Sequence, residues 1–135
     1  MSAARITRNQ LVERVLLIPG SSTKPTYHLP LSGAALELLH TYWGLTWAFE
    51  PLGDFDTLKR GLDREIGLPF AHWTIHTLRH TARSLLSKVT SAQVAELALG
   101  HTLKGMQQRY DHHDYTEEKR AAMEGLAALL AEITK

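Results

Sequence analysis

There is no cysteine anywhere in the 135 residues, which rules out disulfides and thiolate metal sites and leaves nothing that points to an oxidising compartment. Cytoplasm is the expectation. No apolar run approaches the roughly 20 residues that a membrane-spanning helix needs, and the opening MSAARITRNQ lacks the apolar core of a signal peptide. An excess of one charge is missing as well. Fifteen Lys and Arg face 14 Asp and Glu, a formal net charge of +1, so the overall balance gives no sign of a polyanionic partner. Internal repeats, low-complexity tracts and linkers are not found either. What remains is 44% hydrophobic and 21% charged, an ordinary composition for one globular domain with one core.

Charge is nevertheless unevenly placed. Between Lys59 and Lys104 the basic residues Lys59, Arg60, Arg64, Arg79, Arg83, Lys88 and Lys104 outnumber Asp63, Glu65 and Glu96, whereas Glu117, Glu118, Glu124 and Glu132 weight the tail the other way. That asymmetry permits a basic face, to which the eight His could add on meeting phosphate.

The pattern of elements predicts an α+β fold that is mostly helical. Residues 15–19 (VLLIP) and 26–31 (TYHLPL) are short β-prone segments on either side of a Gly-Ser-Ser-Thr-Lys-Pro turn, an N-terminal β-hairpin with Lys24 in its connection. Pro19 and Pro30 then belong at strand ends or edges. The first dozen residues can be ordered as a further strand against the hairpin. Ser32 caps a helix to about Trp43, with Leu36, Leu38, Leu39 and Trp43 inward. A second helix runs from near Asp54 to before Gly67, with Phe55, Leu58, Leu62 and Ile66 at helical spacing. Its Lys59, Arg60 and Arg64 form a face that in most proteins is simply solvated; phosphate contact is the alternative.

Thr74 caps a central helix that carries His76, Arg79, His80 and Arg83 on one polar ridge, with Ile75, Leu78, Ala82, Leu85 and Leu86 opposite and buried. Thr90 and Gln93 have the spacing of a capping box for a short helix over residues 91–99, ended by Gly100. That Gly turns the chain and projects His101 back toward Arg79. Another short helix is expected over residues 102–110. Asp114 and Glu117 repeat the capping pattern before a last helix to about Ile133, with Met123, Leu126, Leu129, Leu130 and Ile133 on one side.

An Arg beside a His suits a pair of phosphate oxygens, since guanidinium binds them in a planar fork and imidazole gives or takes a proton near neutral pH. His76 in the first helical turn sits among amide hydrogens that already favour an anion. Arg79 on a largely apolar helix needs an anion or a carboxylate such as Glu96 or Asp111. His28, His40 and His72 read as structural, and His80 as a supporting residue. Tyr110 and Tyr115 compete as a nucleophile, and periodicity does not separate them. Asp111, His112, His113 and Asp114 hold metal-ligand types, but consecutive residues seldom converge on one ion, so no metal or other cofactor is expected.

His76-x-x-Arg79, then Leu99-Gly100-His101, then Tyr110 resembles the C-terminal half of the active site of the tyrosine recombinase (phage integrase) family. The resemblance covers residues 18–130. The run Tyr110-Asp-His-His-Asp-Tyr is similar to the tail of prophage integrases, and His28-Leu-Pro-Leu-Ser32 is similar to the segment that follows the hairpin Lys of the family. The resemblance implies an integrase-like catalytic domain and double-stranded DNA as substrate. Tyr110 would attack a phosphodiester to give a 3′-phosphotyrosyl bond and a free 5′-hydroxyl. Arg79 and His101 would hold the non-bridging oxygens, Lys24 would protonate the leaving oxygen, and His76 would accept a proton or bind the phosphate. Arg83, Lys59, Arg60 and Lys104 would contact DNA. Neither ATP nor metal would be required.

The sequence also departs from the family. An Arg in an Arg-x-Gly-Glu-like helix and an N-terminal DNA-clamping domain have no match; Arg5, Arg8 and Arg14 lie too near the hairpin and lack the Gly-Glu. Residues 1–135 are therefore expected to be a partial, N-terminally truncated catalytic domain with impaired recombination. A second copy, or an intact integrase, would pair through the last helix.

Overall fold

The computed structural model describes residues 6–23, 25–41, 43, 55–67, 72–102 and 113–135. Among them, a three-stranded antiparallel sheet is followed by five α-helices, so the fold is α+β and mostly helical, as the sequence pattern predicts. A single 3₁₀ turn at Arg8–Gln10 leads into β1 (Leu11–Val12), β2 (Val15–Ile18) and β3 (Tyr27–Pro30), in the spatial order β1-β2-β3.

The predicted hairpin is β2–β3, paired from Val15 opposite Pro30 to Ile18 opposite Tyr27. Pro30 sits at the last position of its strand, where a missing N–H costs least. The chain ahead of the hairpin does supply a partner strand, and its turn is one that no Gly advertises. Glu13 and Arg14, at φ +48° and +68°, form the two-residue connection between Val12 and Val15. Both central residues have the positive φ of a primed turn, which matches the twist of the flanking strands. Arg14 is held there by Glu124, 3.0 Å away, and its carbonyl accepts from the Leu31 amide.

The helices are α1 (Gly33–Thr41), α2 (Phe55–Ile66), α3 (Ile75–Leu86), α4 (Ala92–Ala98) and α5 (Thr116–Ile133). Ser32 caps α1 through Oγ, which accepts from the Ala35 amide. Thr74 caps α3 as expected, and Thr77 closes the capping box. For α4 the cap is Ser91, whose side chain accepts from the Val94 amide, so the Thr90–Gln93 box is not the one used. Helix α5 begins after Tyr115, a residue in the left-handed region at φ +55°, with the Asp114 carboxylate accepting from the Thr116 amide.

Burial is organised in two clusters. Ile6, Leu16, Leu31 and Leu39 lie between the sheet and α1, with Leu11, Ile18, Leu29, Leu36 and Trp43 packed around them. Leu86, Val94, Ala95, Ala98 and Ala122 join α3, α4 and α5, flanked by Leu99, Tyr115, Met123 and Leu126. Helix α5 ties the two together. Its Lys119 is buried, with Nζ donating to the His28 carbonyl of β3 at 2.8 Å and lying over the Tyr27 ring. Burial lowers the Lys119 pKa, against a smaller opposing effect of Asp114. Glu124, one turn further along, accepts from the Gly33 amide as well as from Arg14.

Several apolar residues expected inside stand outside. Ile75 and Leu78 are 57% and 55% exposed, because α3 enters the core only through its last turns, at Leu86, and its first two turns project beyond it. Leu38 on α1 and Leu130 and Ile133 on α5 are also exposed. So are Leu58, Leu62 and Ile66, since α2 uses its polar edge instead: Asp63 accepts from Trp73 Nε1 at 2.7 Å and pairs with Lys59.

Candidate functional site

The exposed first turns of α3 carry the polar ridge. His76 and His80, one turn apart, bring their Nε2 atoms to 2.9 Å, so one imidazole donates to the other and the two cannot both carry a proton there. Arg79, on the same exposed stretch, faces the end of α4.

That end is a glycine-stopped helix terminus. Gly100 adopts φ +79°, the Gly100 amide donates to the Leu97 carbonyl, and the His101 amide donates to the Glu96 carbonyl. These are the two bonds of a Schellman motif, which reverses the chain and sets the residue after the Gly beside the residue five positions earlier. His101 is therefore doubly attached to Glu96, through its own amide and through Nδ1, which contacts the Glu96 carboxylate. Nε2 then faces outward, 2.8 Å from Nη2 of Arg79. The same Nη2 donates to the Leu99 carbonyl at 2.6 Å.

Glu96 is shared. Arg83 Nε pairs with its other oxygen at 2.5 Å while Arg83 Nη1 donates to Ser87. The hydrogen bond from Arg83, followed by that from His101, holds the Glu96 carboxyl below the usual carboxylate range, so it stays charged at neutral pH. Of the two carboxylates named as alternatives to an anion for Arg79, Glu96 is not its partner and Asp111 lies outside the described residues. Glu96 takes Arg83 and His101, and Arg79 has no carboxylate partner among the described residues.

From the other side, Tyr27 of β3 reaches the same terminus. Its hydroxyl donates to the Leu97 and Ala98 carbonyls, at 2.9 and 2.6 Å, and its ring packs on Gly100. Burial pushes the phenol up to about 12, against the opposing pull of the Gly100 backbone and the Arg79 charge, so Tyr27 is a neutral donor. The hairpin is thereby fastened to the turn that presents His101.

Of the expected site residues, Arg79 and His101 are brought together and His76 stands on the same helix as Arg79, engaged with His80. Lys24, Lys104 and Tyr110 lie outside the described residues. Arg83 is tied to Glu96, and Lys59 is paired with Asp63 over the Trp73 ring. Arg60 bonds within its own helix, to the Asp56 carbonyl and Thr57 Oγ1. Of the acidic and His cluster after Tyr110, His113 bonds to Glu118 and Asp114 to the α5 terminus, while Asp111 and His112 are not among the described residues. Sequence reasoning missed Glu96 as a site residue and Tyr27 altogether. Glu96 had a readable signal, because a helix stopped by Gly places residues five apart in contact; Tyr27 had none, being 70 positions from its partner.

A replacement at Gly100 tests this construction. The left-handed backbone costs a residue with a Cβ about 1–2 kcal/mol, and a Cβ there meets the Tyr27 ring at an ordinary 3.7 Å, so strain rather than collision sets the effect. Gly100→Ala is expected to lower stability in urea by that amount and Gly100→Asn by less, since Asn tolerates this conformation.

Comparison of the chain with models of protein families, with curated proteins and with solved structures finds no match.

Proposed function

We propose that the chain carries part of a tyrosine recombinase active site and acts on duplex DNA, cleaving and rejoining strands through a 3′-phosphotyrosyl bond on Tyr110. The observation that supports this reading most is the meeting of Arg79 and His101. They are 22 residues apart, one on α3 and the other in the turn that follows α4, and place a guanidinium and an imidazole nitrogen 2.8 Å from each other on an exposed surface. Nε and Nη1 of Arg79 have no hydrogen-bond partner among the described residues, so donors are open to a phosphate oxygen, and release of the Nη2 bond to His101 would complete a planar fork for a non-bridging oxygen pair. Both groups would stabilise charge as it develops on phosphorus. Lys24 would protonate the leaving oxygen, His76 would assist, and Arg83, Lys59, Arg60 and Lys104 would contact the backbone. Leu130 and Ile133, exposed at the end of α5, are the surface a second copy or an intact integrase would use.

A nicked suicide duplex traps the covalent step, because the freed strand diffuses away and rejoining stops. A protein–DNA adduct that disappears in Tyr110→Phe is the expected result. A second reading is binding of DNA or of an intact integrase without cleavage. It is the outcome if DNA is retained in a salt-dependent way and no adduct forms.

A further inference from the structure

We propose that Glu96, clamped by Arg83, is the positioning residue of an oxyanion site formed by Arg79 and His101, and that an oxyanion enters this site together with one proton taken up at Nε2 of His101. This rests on reading Arg79 and His101 as phosphate ligands and adds how that pair is set and regulated.

A charged carboxylate only accepts, so the contact between Glu96 and Nδ1 of His101 requires the proton on Nδ1. A neutral imidazole then has a lone pair on Nε2, which is what Arg79 Nη2–H meets at 2.8 Å. Without an anion the two groups satisfy each other. An oxyanion presents acceptors only, so it displaces this bond, and His101 can bind it only by gaining a hydrogen on Nε2. Nδ1 is already committed to Glu96, so that proton comes from solvent and the imidazole becomes a cation.

The surroundings suit that change. Among the described residues, the charged and titratable groups around His101 and its partners are Arg79 and Arg83 from α3, Glu96 from α4 and the neutral Tyr27 phenol from β3, while His76 and His80 on α3 bond to each other. Glu96 is the carboxylate among them, and a cationic His101 without it would face Arg79 unopposed. Arg83 fixes Glu96 through its other oxygen and is itself fixed by Ser87, so the carboxylate is aimed from behind. This is the orienting arrangement in which the partner of one ring nitrogen sets the role of the other.

The test uses the full chain with ¹⁵N-labelled histidine, inorganic sulfate as the probe, and chloride at matched ionic strength as the control. Sulfate does not titrate in the working range, so any proton taken up belongs to the protein. In the absence of sulfate the ring nitrogen shifts of His101 are expected to report hydrogen on Nδ1. Adding sulfate should place hydrogen on both nitrogens, and affinity should weaken about tenfold for each pH unit on the alkaline side, the slope of one coupled proton. Glu96→Gln, which keeps an acceptor but not the charge, should retain the tautomer and bind sulfate about tenfold more weakly at neutral pH. Glu96→Ala should mix the tautomers.

Hydrogen on Nε2 in the unliganded wild type, binding that does not change with pH, or no binding beyond chloride would each overturn the proposal. The wild-type spectra decide it even if a variant does not fold. Tyr110 plays no part in the measurement, so the two readings fail separately: proton-coupled sulfate binding without a DNA adduct removes the cleavage reading alone. An adduct with pH-independent sulfate binding removes this one alone.

Discussion

Leu86→Ala is expected to lower the unfolding free energy by about 2–5 kcal/mol, a large part of the roughly 5–15 kcal/mol available to a domain of this kind. Leu86 is 1% exposed and is the residue through which α3 enters the second cluster. Three of the other four members of that cluster are alanines, Ala95, Ala98 and Ala122. Methyl groups on helix backbones cannot reach across to fill the space that an isobutyl group leaves, so the cavity persists and the cost falls toward the upper end. Leu86→Met, which keeps the volume, is expected to cost less than about 1.5 kcal/mol. Leu38→Ala, at an exposed position, should stay within about 0.5 kcal/mol. Urea unfolding of the three variants checks the order. The site should follow the core, because the packing of α3 on α4 is what holds Arg79 opposite His101.

On the proposed DNA-cleavage reading, Arg79→Ala should leave the fold largely intact and reduce adduct formation about 10²–10³-fold, the scale for losing one donor to a developing oxyanion. The split between the two effects is the informative part. Arg79 lies on the exposed half of α3, and the Leu99 carbonyl it serves can turn to water when the guanidinium is gone. If Arg79 were a structural strut, its removal would instead lower the melting temperature as Leu86→Ala does. Arg79→Lys separates charge from geometry: an ammonium keeps the charge but cannot present a planar fork, so it should recover only part of the loss. Adduct yield on the suicide duplex and thermal unfolding, measured on the same preparations, check both statements.

The local signals in the sequence carried far. Thr74, Ser32 and Gly100 each mark a helix end where a cap or a left-handed turn is found, and Gly100 also brings His101 to Arg79 as its spacing suggests. The hairpin was readable from two short β-prone runs around Gly-Ser-Ser-Thr-Lys-Pro. The first turn was not, because Glu13 and Arg14 occupy positive φ without Gly or Asn, and what holds Arg14 is a carboxylate 110 residues away. Helical periodicity found the apolar sides of α2 and α3 but not their depth. Ile75 and Leu78 lie on the same side as Leu86, and a helix that meets the core only at its far end leaves them in solvent. Periodicity reports direction around a helix axis and is silent on how much of its length is covered. Lys119 shows the opposite failure: a charged residue on a polar-looking helix is buried because one backbone carbonyl and one aromatic face wait for it.

Helix α4 has seven residues, and its length is dictated from outside. An α-helix leaves its final carbonyls without internal donors. Here a phenol from β3 serves Leu97 and Ala98, and a guanidinium from α3 serves Leu99. Adding one more turn would bury those oxygens in new backbone bonds and evict both visitors. The stop is thus written in two neighbours as well as in Gly100, and a sequence change that lengthened the helix would disconnect the sheet and Arg79 from it in a single step.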